Sequence, residues 1–316
     1  MKQDNYVKPK DIKFSELIIG MRNAYAEGRN AMKFARQSKE IKTNTIDATL
    51  IAYDLQAGTY ISAIKLNKQG NELWCHQLAN ILKPYITRKS TLIEVGCGEA
   101  TTLTGVLKSL NKQPKRSFGF DLSWSRCAYG IKHLKNNKMS ADLFVADIFK
   151  IPLQDSSIDI VYTSHSLEPN GGKEEEAIKE LVRIAKEVVI LIEPLYELVN
   201  PESQARMAEH GYVRGLKQAA ERIGAEVSEY RLLDYSGNVN NQSGILIIKK
   251  KFKEKIKNNI KTIWRCPLTH TELIENKLGF YSPSTGIVYP ILNKIPLLCS
   301  NHAVVASKFE SLIENK

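Results

Sequence analysis

Residues 91–103, Thr91-Leu-Ile-Glu-Val-Gly-Cys-Gly-Glu-Ala-Thr-Thr-Leu103, decide how the rest of the chain is read. Leu92, Ile93 and Val95 form an apolar run that reads as a buried parallel strand, and it stops at Gly96 and Gly98. A helical pattern begins near Thr101. Strand, glycine turn and helix N-terminus together make a cradle in which backbone can approach a ligand with no Cβ in the way. Glu94 stands just before the glycines. A carboxylate there repels a pyrophosphate but suits a ligand that carries positive charge.

The spacing downstream extends this reading. Ser117-Phe-Gly-Phe-Asp121 is a second short strand ending in an acid, 27 residues after Glu94, where a carboxylate can accept from ribose hydroxyls. Asp142-Leu-Phe-Val-Ala-Asp147 is a third strand, its final acid placed to accept from an amino group while Ile148 packs on a ring. A fourth strand, Ile158-Asp-Ile-Val-Tyr-Thr-Ser-His-Ser-Leu-Glu168, opens into a polar loop containing His165. Polar groups at successive strand ends are what a doubly wound sheet needs to build a site at its carboxyl edge.

On these residues, 70–250 resemble a class I, seven-stranded S-adenosylmethionine-dependent methyltransferase domain. Glu94-Val-Gly-Cys-Gly98 resembles the family's first motif, Asp121 its ribose acid, and Ala146-Asp147 its adenine contact. Ser164-His-Ser-Leu-Glu168 resembles its fourth-strand motif. The chain departs from the pattern at Glu99, where a third glycine is usual, and at Pro169, where a second histidine often stands. The resemblance implies S-adenosyl-L-methionine as cofactor. It implies Gly96, Cys97, Gly98 and Glu99 at its methionine end, Asp121 and Leu122 at the ribose, and Asp147 and Ile148 at the adenine. Ser164 lies beside them.

Further expectations concern architecture. The fold class is α/β: a doubly wound, mostly parallel seven-stranded sheet, with an N-terminal helical lid and a small C-terminal β-rich module. Residues 1–69 are the helical segment and lid, 70–250 the sheet domain, 251–261 a basic linker and 262–316 the module. Strands are expected near 91–95, 117–121, 142–145, 158–163 and 187–192, with an antiparallel pair at 226–233 and 244–250. Helices are expected at 72–85, 101–111, 123–135, 173–186 and, broken by Glu209-His-Gly-Tyr-Val-Arg214, at 201–223. Thr45 to Ile64 reads as one helix. Tyr53, Gln56 and Tyr60, spaced by three and four residues, line one face of it and would close over the cofactor.

Residues 262–316 resemble the zinc-ribbon-like subunits that activate certain tRNA and protein methyltransferases, through Cys266-Pro267, Tyr289-Pro-Ile291 and Ile295-Pro-Leu-Leu298. Thr269 replaces the second cysteine of the usual knuckle. The pairs Cys266/His270 and Cys299/His302 have spacings zinc tolerates, but the expectation is a ribbon held by apolar packing, with no metal.

Composition narrows the function classes. The net charge is +11, yet residues 1–45 hold ten Lys/Arg against five Asp/Glu, and residues 249–265 hold eight against one. The rest is therefore near neutrality, and the basic run Lys249–Lys257 reads as a solvated strand end and linker. Five scattered cysteines show no disulfide framework, which with the lack of a signal-peptide core or a long apolar stretch points to a cytoplasmic protein with no membrane partner.

For a methyl transfer, the protein orients the acceptor and removes its proton where it has one. His165 is the candidate base, and Glu168 a carboxylate that orients either the acceptor or His165. Glu193, His210, Tyr212 and Arg214 are candidate acceptor contacts, the arginine suiting a sugar phosphate or nucleotide sugar. The expected partner is a small polar acceptor methylated on oxygen or nitrogen. RNA is the alternative acceptor, motivated by the linker and the module. A non-catalytic cofactor-binding or partner-docking protein is a second alternative. A nicotinamide-dependent dehydrogenase fits least, because the third glycine is missing and Glu94 precedes the turn.

Overall fold

The computed structural model describes residues 14–39, 43–250 and 262–313. The basic linker expected at 251–261 lies outside the described residues, as does the basic start of the chain.

The seven-stranded sheet comprises β1 (Thr91–Val95), β2 (Arg116–Asp121), β3 (Asp142–Val145), β4 (Ile158–Ser164), β5 (Ala185–Pro194), β6 (Glu226–Leu232) and β7 (Ser243–Lys249), ordered β3-β2-β1-β4-β5-β7-β6. The first five pair in parallel, and β7 runs antiparallel to both β5 and β6. The central strands carry side chains buried on both faces, as the unbroken apolar run Val188–Ile192 requires. The order reverses between β1 and β4, so the crevice at their carboxyl ends is where such a sheet opens a ligand site.

Helices cover both faces: α5 (Lys68–Leu82), α6 (Thr101–Ser109), α7 (Trp124–Asn136), α8 (Glu174–Ile184), α9 (Pro201–His210) and α10 (Leu216–Arg222). Local chemistry sets several ends. Ser123 caps α7 by accepting from Arg126 N, and Asn200 caps α9, whose first residue is Pro201. Gly211, at φ 69°, ends α9 and makes the expected break before α10.

The described residues of the N-terminal segment form four helices: α1 (Phe14–Ala26), α2 (Ala31–Ser38), α3 (Ile46–Leu55) and α4 (Thr59–Leu66). The single helix expected from Thr45 to Ile64 is thus two, separated at Gly58, whose φ of 95° no continuing helix accepts. Leu17, Met21, Ala31, Ala35, Ala48, Ile51 and Ala52 give these helices a small core of their own.

The C-terminal residues form a second, five-stranded antiparallel sheet: β8 (Ile274–Glu275), β9 (Gly279–Ser282), β10 (Ile287–Leu292), β11 (Ile295–Pro296) and β12 (Val304–Val305). A short helix, α11 (Phe309–Ile313), follows. This module lies against the β3 edge. Val145 bridges Leu297, Leu298 N donates to Val145 O at 2.8 Å, and Leu153 bridges Trp264. Trp264 packs edge-on against Phe118, Phe144 and Phe280, so module and sheet share one buried cluster. Cys266 Sγ contacts Tyr289 Oη at 3.3 Å, and Cys299 packs with Cys127 and Val145. Among the described residues, no group of three or more His, Cys, Asp or Glu is placed to hold a metal.

Candidate active site

A cavity opens at the β1/β4 switch point, under α3 and α4. Its floor is the glycine turn. Gly96 and Gly98 have φ of 69° and 53°, and a Cβ on Gly96 would fall 2.2 Å from Ser166 Cβ, so a side chain there would close the space between the β1 and β4 loops.

Three acids reach the cavity from successive strand ends. Glu94 is buried and accepts from Tyr162 Oη at 2.9 Å. Burial lifts its pKa to about 8, against the pull of that phenol. Asp121 accepts from Gly98 N at 3.0 Å and from Ser123 N at 2.9 Å, which ties the β2 end to the glycine turn. Asp147 accepts from Phe149 N at 3.0 Å, and burial raises its pKa. Phe120, Leu122, Ala146, Ile148 and Phe149 supply apolar wall between the acids. Two orphan polar atoms sit in residues that line the space, Ser166 Oγ and Arg126 Nε, both buried with no hydrogen-bond partner among the described residues.

At the fourth strand's end, His165 adopts φ 56°, a conformation that costs a non-glycine residue energy. His165 Nδ1 lies 3.0 Å from Glu168 Oε2, and Nε2 lies 2.7 Å from Ser243 Oγ on β7. The Trp74 ring packs 5.6 Å from the imidazole. Asn241 Nδ2 also donates to Glu168, at 3.2 Å. Burial pushes His165 downward, but the Glu168 carboxylate, with Glu193 behind it, more than offsets this, and the pKa lies above the ordinary 6.5.

Tyr53, Tyr60, Glu94, Gly96, Cys97 and Asp121 thus meet in one cavity with Leu122, Asp147, Ile148, Ser164, His165 and Glu168. Other expected contacts sit elsewhere. Glu99 turns away from the cavity and accepts from Gly58 N, Tyr60 N and Ile61 N at 2.8–3.3 Å, capping α4. Its carboxylate satisfies a helix start whose N-cap, a glycine, has no side chain to offer. Gly98 acts through its N–H on Asp121.

Glu193, expected on the acceptor rim, is fully buried. It accepts from Ser166 N, Leu167 N and Glu168 N at 3.1–3.2 Å and so fixes the loop that carries His165. Burial raises its pKa to about 7.

Gln56, His210 and Tyr212 line an adjoining cleft that shares Tyr53, Tyr60, Glu168 and Pro169 with the main cavity. Arg214 is in neither. Its guanidinium stacks on Tyr196, 4.8 Å from the ring centroid, and its N–H donates to Glu174. The adjoining cleft takes its positive charge from Arg29 and Arg36 instead.

Sequence reading missed Arg126, Ser243 and Trp74. Only Arg126 left a local sign: Ser123, two residues past Asp121, is a helix N-cap, which puts Arg126 in the first turn of α7, next to the acid. Ser243 and Trp74 reach His165 from distant strands and helices.

Residues 93–192 match the family model described as a methyltransferase domain. Over 111 residues the chain is 29% identical to norajmaline N-methyltransferase of Rauvolfia serpentina, covering 34% of this chain and 37% of that enzyme. The chain therefore spans little more than a third of the length of that relative. Among solved structures, magnesium protoporphyrin IX methyltransferase of Synechocystis PCC 6803 superposes with a TM-score of 0.49 at 12% identity, over 64% of this chain and 99% of that one. A complex of a methyltransferase activator and a methyltransferase from Haloferax volcanii gives 0.48 at 14% identity, over 62% and 96%. The family match supports reading residues 93–192 as a methyltransferase domain.

Proposed function

We propose that the chain transfers a methyl group from S-adenosylmethionine to an oxygen or nitrogen of a small polar acceptor of the sugar or nucleotide-sugar kind, with His165 as base. The observation that carries this reading is the pair His165–Glu168 at the mouth of β4, in a cavity walled by acids from three strand ends, with Glu168 also lining the adjoining cleft that holds Arg29 and Arg36. The cavity fits the cofactor on this chain's own features: a turn that a Cβ would block, acids at the β1, β2 and β3 ends, and orphan polar atoms in its lining. When bound, S-adenosylmethionine supplies an electrophilic methyl group on a sulfonium.

The protein's part is positioning and proton removal. A carboxylate only accepts, so Glu168 holds the proton of neutral His165 on Nδ1 and leaves Nε2 basic. Nε2 accepts from the Ser243 hydroxyl, so an acceptor proton reaches it through that hydroxyl or in its place. Glu193 keeps the loop rigid by gathering three backbone N–H groups. Arg29 and Arg36 face the cleft, and Arg36 donates to Asn44 Oδ1 at 2.7 Å while Asn44 Nδ2 donates to Pro169 O at 2.9 Å. That chain of bonds ties the cationic wall to the loop carrying Glu168, and a phosphate-bearing acceptor suits it.

The test is incubation with methyl-labelled S-adenosylmethionine and fractionated cell extract. Label in the small-molecule pool is the expected result, and label in nuclease-sensitive polymer overturns the acceptor assignment in favour of RNA. With an acceptor in hand, His165→Asn should lower kcat roughly 10²–10⁴-fold. The wild-type rate should climb with pH through a midpoint above 6.5, since only neutral His165 takes a proton. Glu168→Gln should move that midpoint down. Unchanged turnover in both variants would remove the base role from His165, and no turnover by the wild type on any fraction would leave the protein a binding module.

A further inference from the structure

Arg126 is the one strongly basic side chain in the cavity that no assignment above uses. It is 8% exposed, and its position is peculiar. The guanidinium lies on the glycine turn, where a Cβ on Gly98 would come within 2.4 Å of Nη2. The rings of Tyr53 and Tyr60 flank it, with centroids 5.1 and 4.5 Å from Cζ. Its one anionic partner among the described residues is Asp121, at 3.6 Å, which is ion-pair range and longer than a good hydrogen bond. Nε has no partner among the described residues. A guanidinium has five donors in a fixed fork, so a buried one left this unsatisfied is arranged for a planar anion.

The cofactor's amino-acid half carries both an ammonium and a carboxylate. Glu94 is the buried acid at the end of β1, beside the same turn. Among the described residues lining the cavity, Arg126 and His165 are the only basic side chains, and both ring nitrogens of His165 are engaged by Glu168 and Ser243. We propose that Arg126 binds the carboxylate of the cofactor's methionine moiety, held flat for it between Tyr53 and Tyr60, while Glu94 takes the ammonium. The inference rests on the cofactor assignment above. It also gives the two tyrosines their work: they fix the fork's plane, and Asp121, paired with Arg126 in this structure, becomes free to accept from ribose hydroxyls.

The experiment is calorimetric titration of the full chain with three ligands: S-adenosylhomocysteine, its decarboxylated analogue, and methylthioadenosine, which lacks the whole amino-acid half. Wild type should bind the decarboxylated analogue roughly 10–100-fold more weakly than S-adenosylhomocysteine. Arg126→Met, which keeps an apolar body between the rings, should remove most of that difference by weakening S-adenosylhomocysteine alone. Arg126→Lys should restore part of it. Equal wild-type affinity for the first two ligands overturns the proposal whether or not any variant folds. Equal weakening of all three ligands in Arg126→Met overturns it as well, because Arg126 would then only brace Asp121 and the lid. Wild type that binds methylthioadenosine preserves the cofactor assignment in either event. Failure to bind any of the three removes that assignment and the proposal with it.

Discussion

The sheet carries two additions, α1–α4 at one end of the chain and the module of β8–β12 at the other, and they are attached by different physics. The helices have a small core of their own and meet the sheet domain mainly through discrete polar contacts, with half-buried Ile46 as an apolar one. Glu99 caps α4, Ser123 Oγ donates to Asp54 at 2.6 Å, Arg126 stacks on Tyr53 and Tyr60, and Asn44 donates to Pro169 O. The module instead contributes Trp264, Cys266, Leu273, Phe280, Tyr289 and Leu298 to the same buried cluster as β2 and β3. Polar contacts to a capping carboxylate can be broken and remade at modest cost, whereas a shared apolar core separates only with exposure of its area. We propose that the first addition moves over a ligand; the second fixes the β3 end, where Asp147 stands.

The largest effect should come from breaking the welded side. Trp264 is 4% exposed and contacts three phenylalanines from both sheets. Trp264→Ala should cost about 3–5 kcal/mol of unfolding free energy, in a single urea transition that includes the main sheet. Two separated transitions, with the seven-stranded sheet keeping its wild-type midpoint, would show that the module is a separate unit after all.

Glu99→Ala should act more weakly and elsewhere. It removes the acceptor for three N–H groups at the start of α4, worth about 1–2 kcal/mol, and should weaken cofactor binding roughly 5–30-fold. Hydrogen exchange should quicken in 46–66 and stay at the wild-type rate in β1–β5. Loss of protection spread across the whole sheet would mean that the helices are part of the main cooperative unit, and the contrast between the two additions would fail.

How much of this was legible follows the range of the interactions. The five parallel strands and the strand-end acids are local patterns: an apolar run, a turn, an acid. They could be read from a few residues each. The break between α3 and α4 was also local, since Ala57-Gly58-Thr59 offers a glycine and a good helix start, but the spacing of Tyr53, Gln56 and Tyr60 favoured one continuous helix. Glu99 and Glu193 were misread for another reason. Each is an acid at a strand or turn end, and nothing nearby shows that its partners are backbone N–H groups, some 40 residues back for Glu99 and about 25 back for Glu193. A carboxylate that organises a site and one that touches a ligand look alike in sequence. The docking of Leu297 and Leu298 on Val145 was illegible because an edge strand advertises its free backbone but not its occupant.

The smallest effect expected is a proton. Glu94 lies on the sheet side of the cavity, and burial holds its pKa at about 8, so at pH 7 its carboxyl is mostly protonated before a ligand binds. A ligand ammonium placed against it favours the charged form and lowers the pKa, so binding at pH 7 should release up to one proton. Titration of S-adenosylhomocysteine in buffers of different ionisation enthalpy reads that number from the slope of observed heat against buffer heat. The release should vanish in Glu94→Gln and shrink well above pH 8, where the carboxyl is already ionised before a ligand binds. Proton release should persist in Glu99→Ala, though at weaker affinity, because Glu94 belongs to the sheet and not to the helices above it. Loss of the signal in that variant would mean that closure of the helices, and not the ligand's charge, sets the ionisation of Glu94.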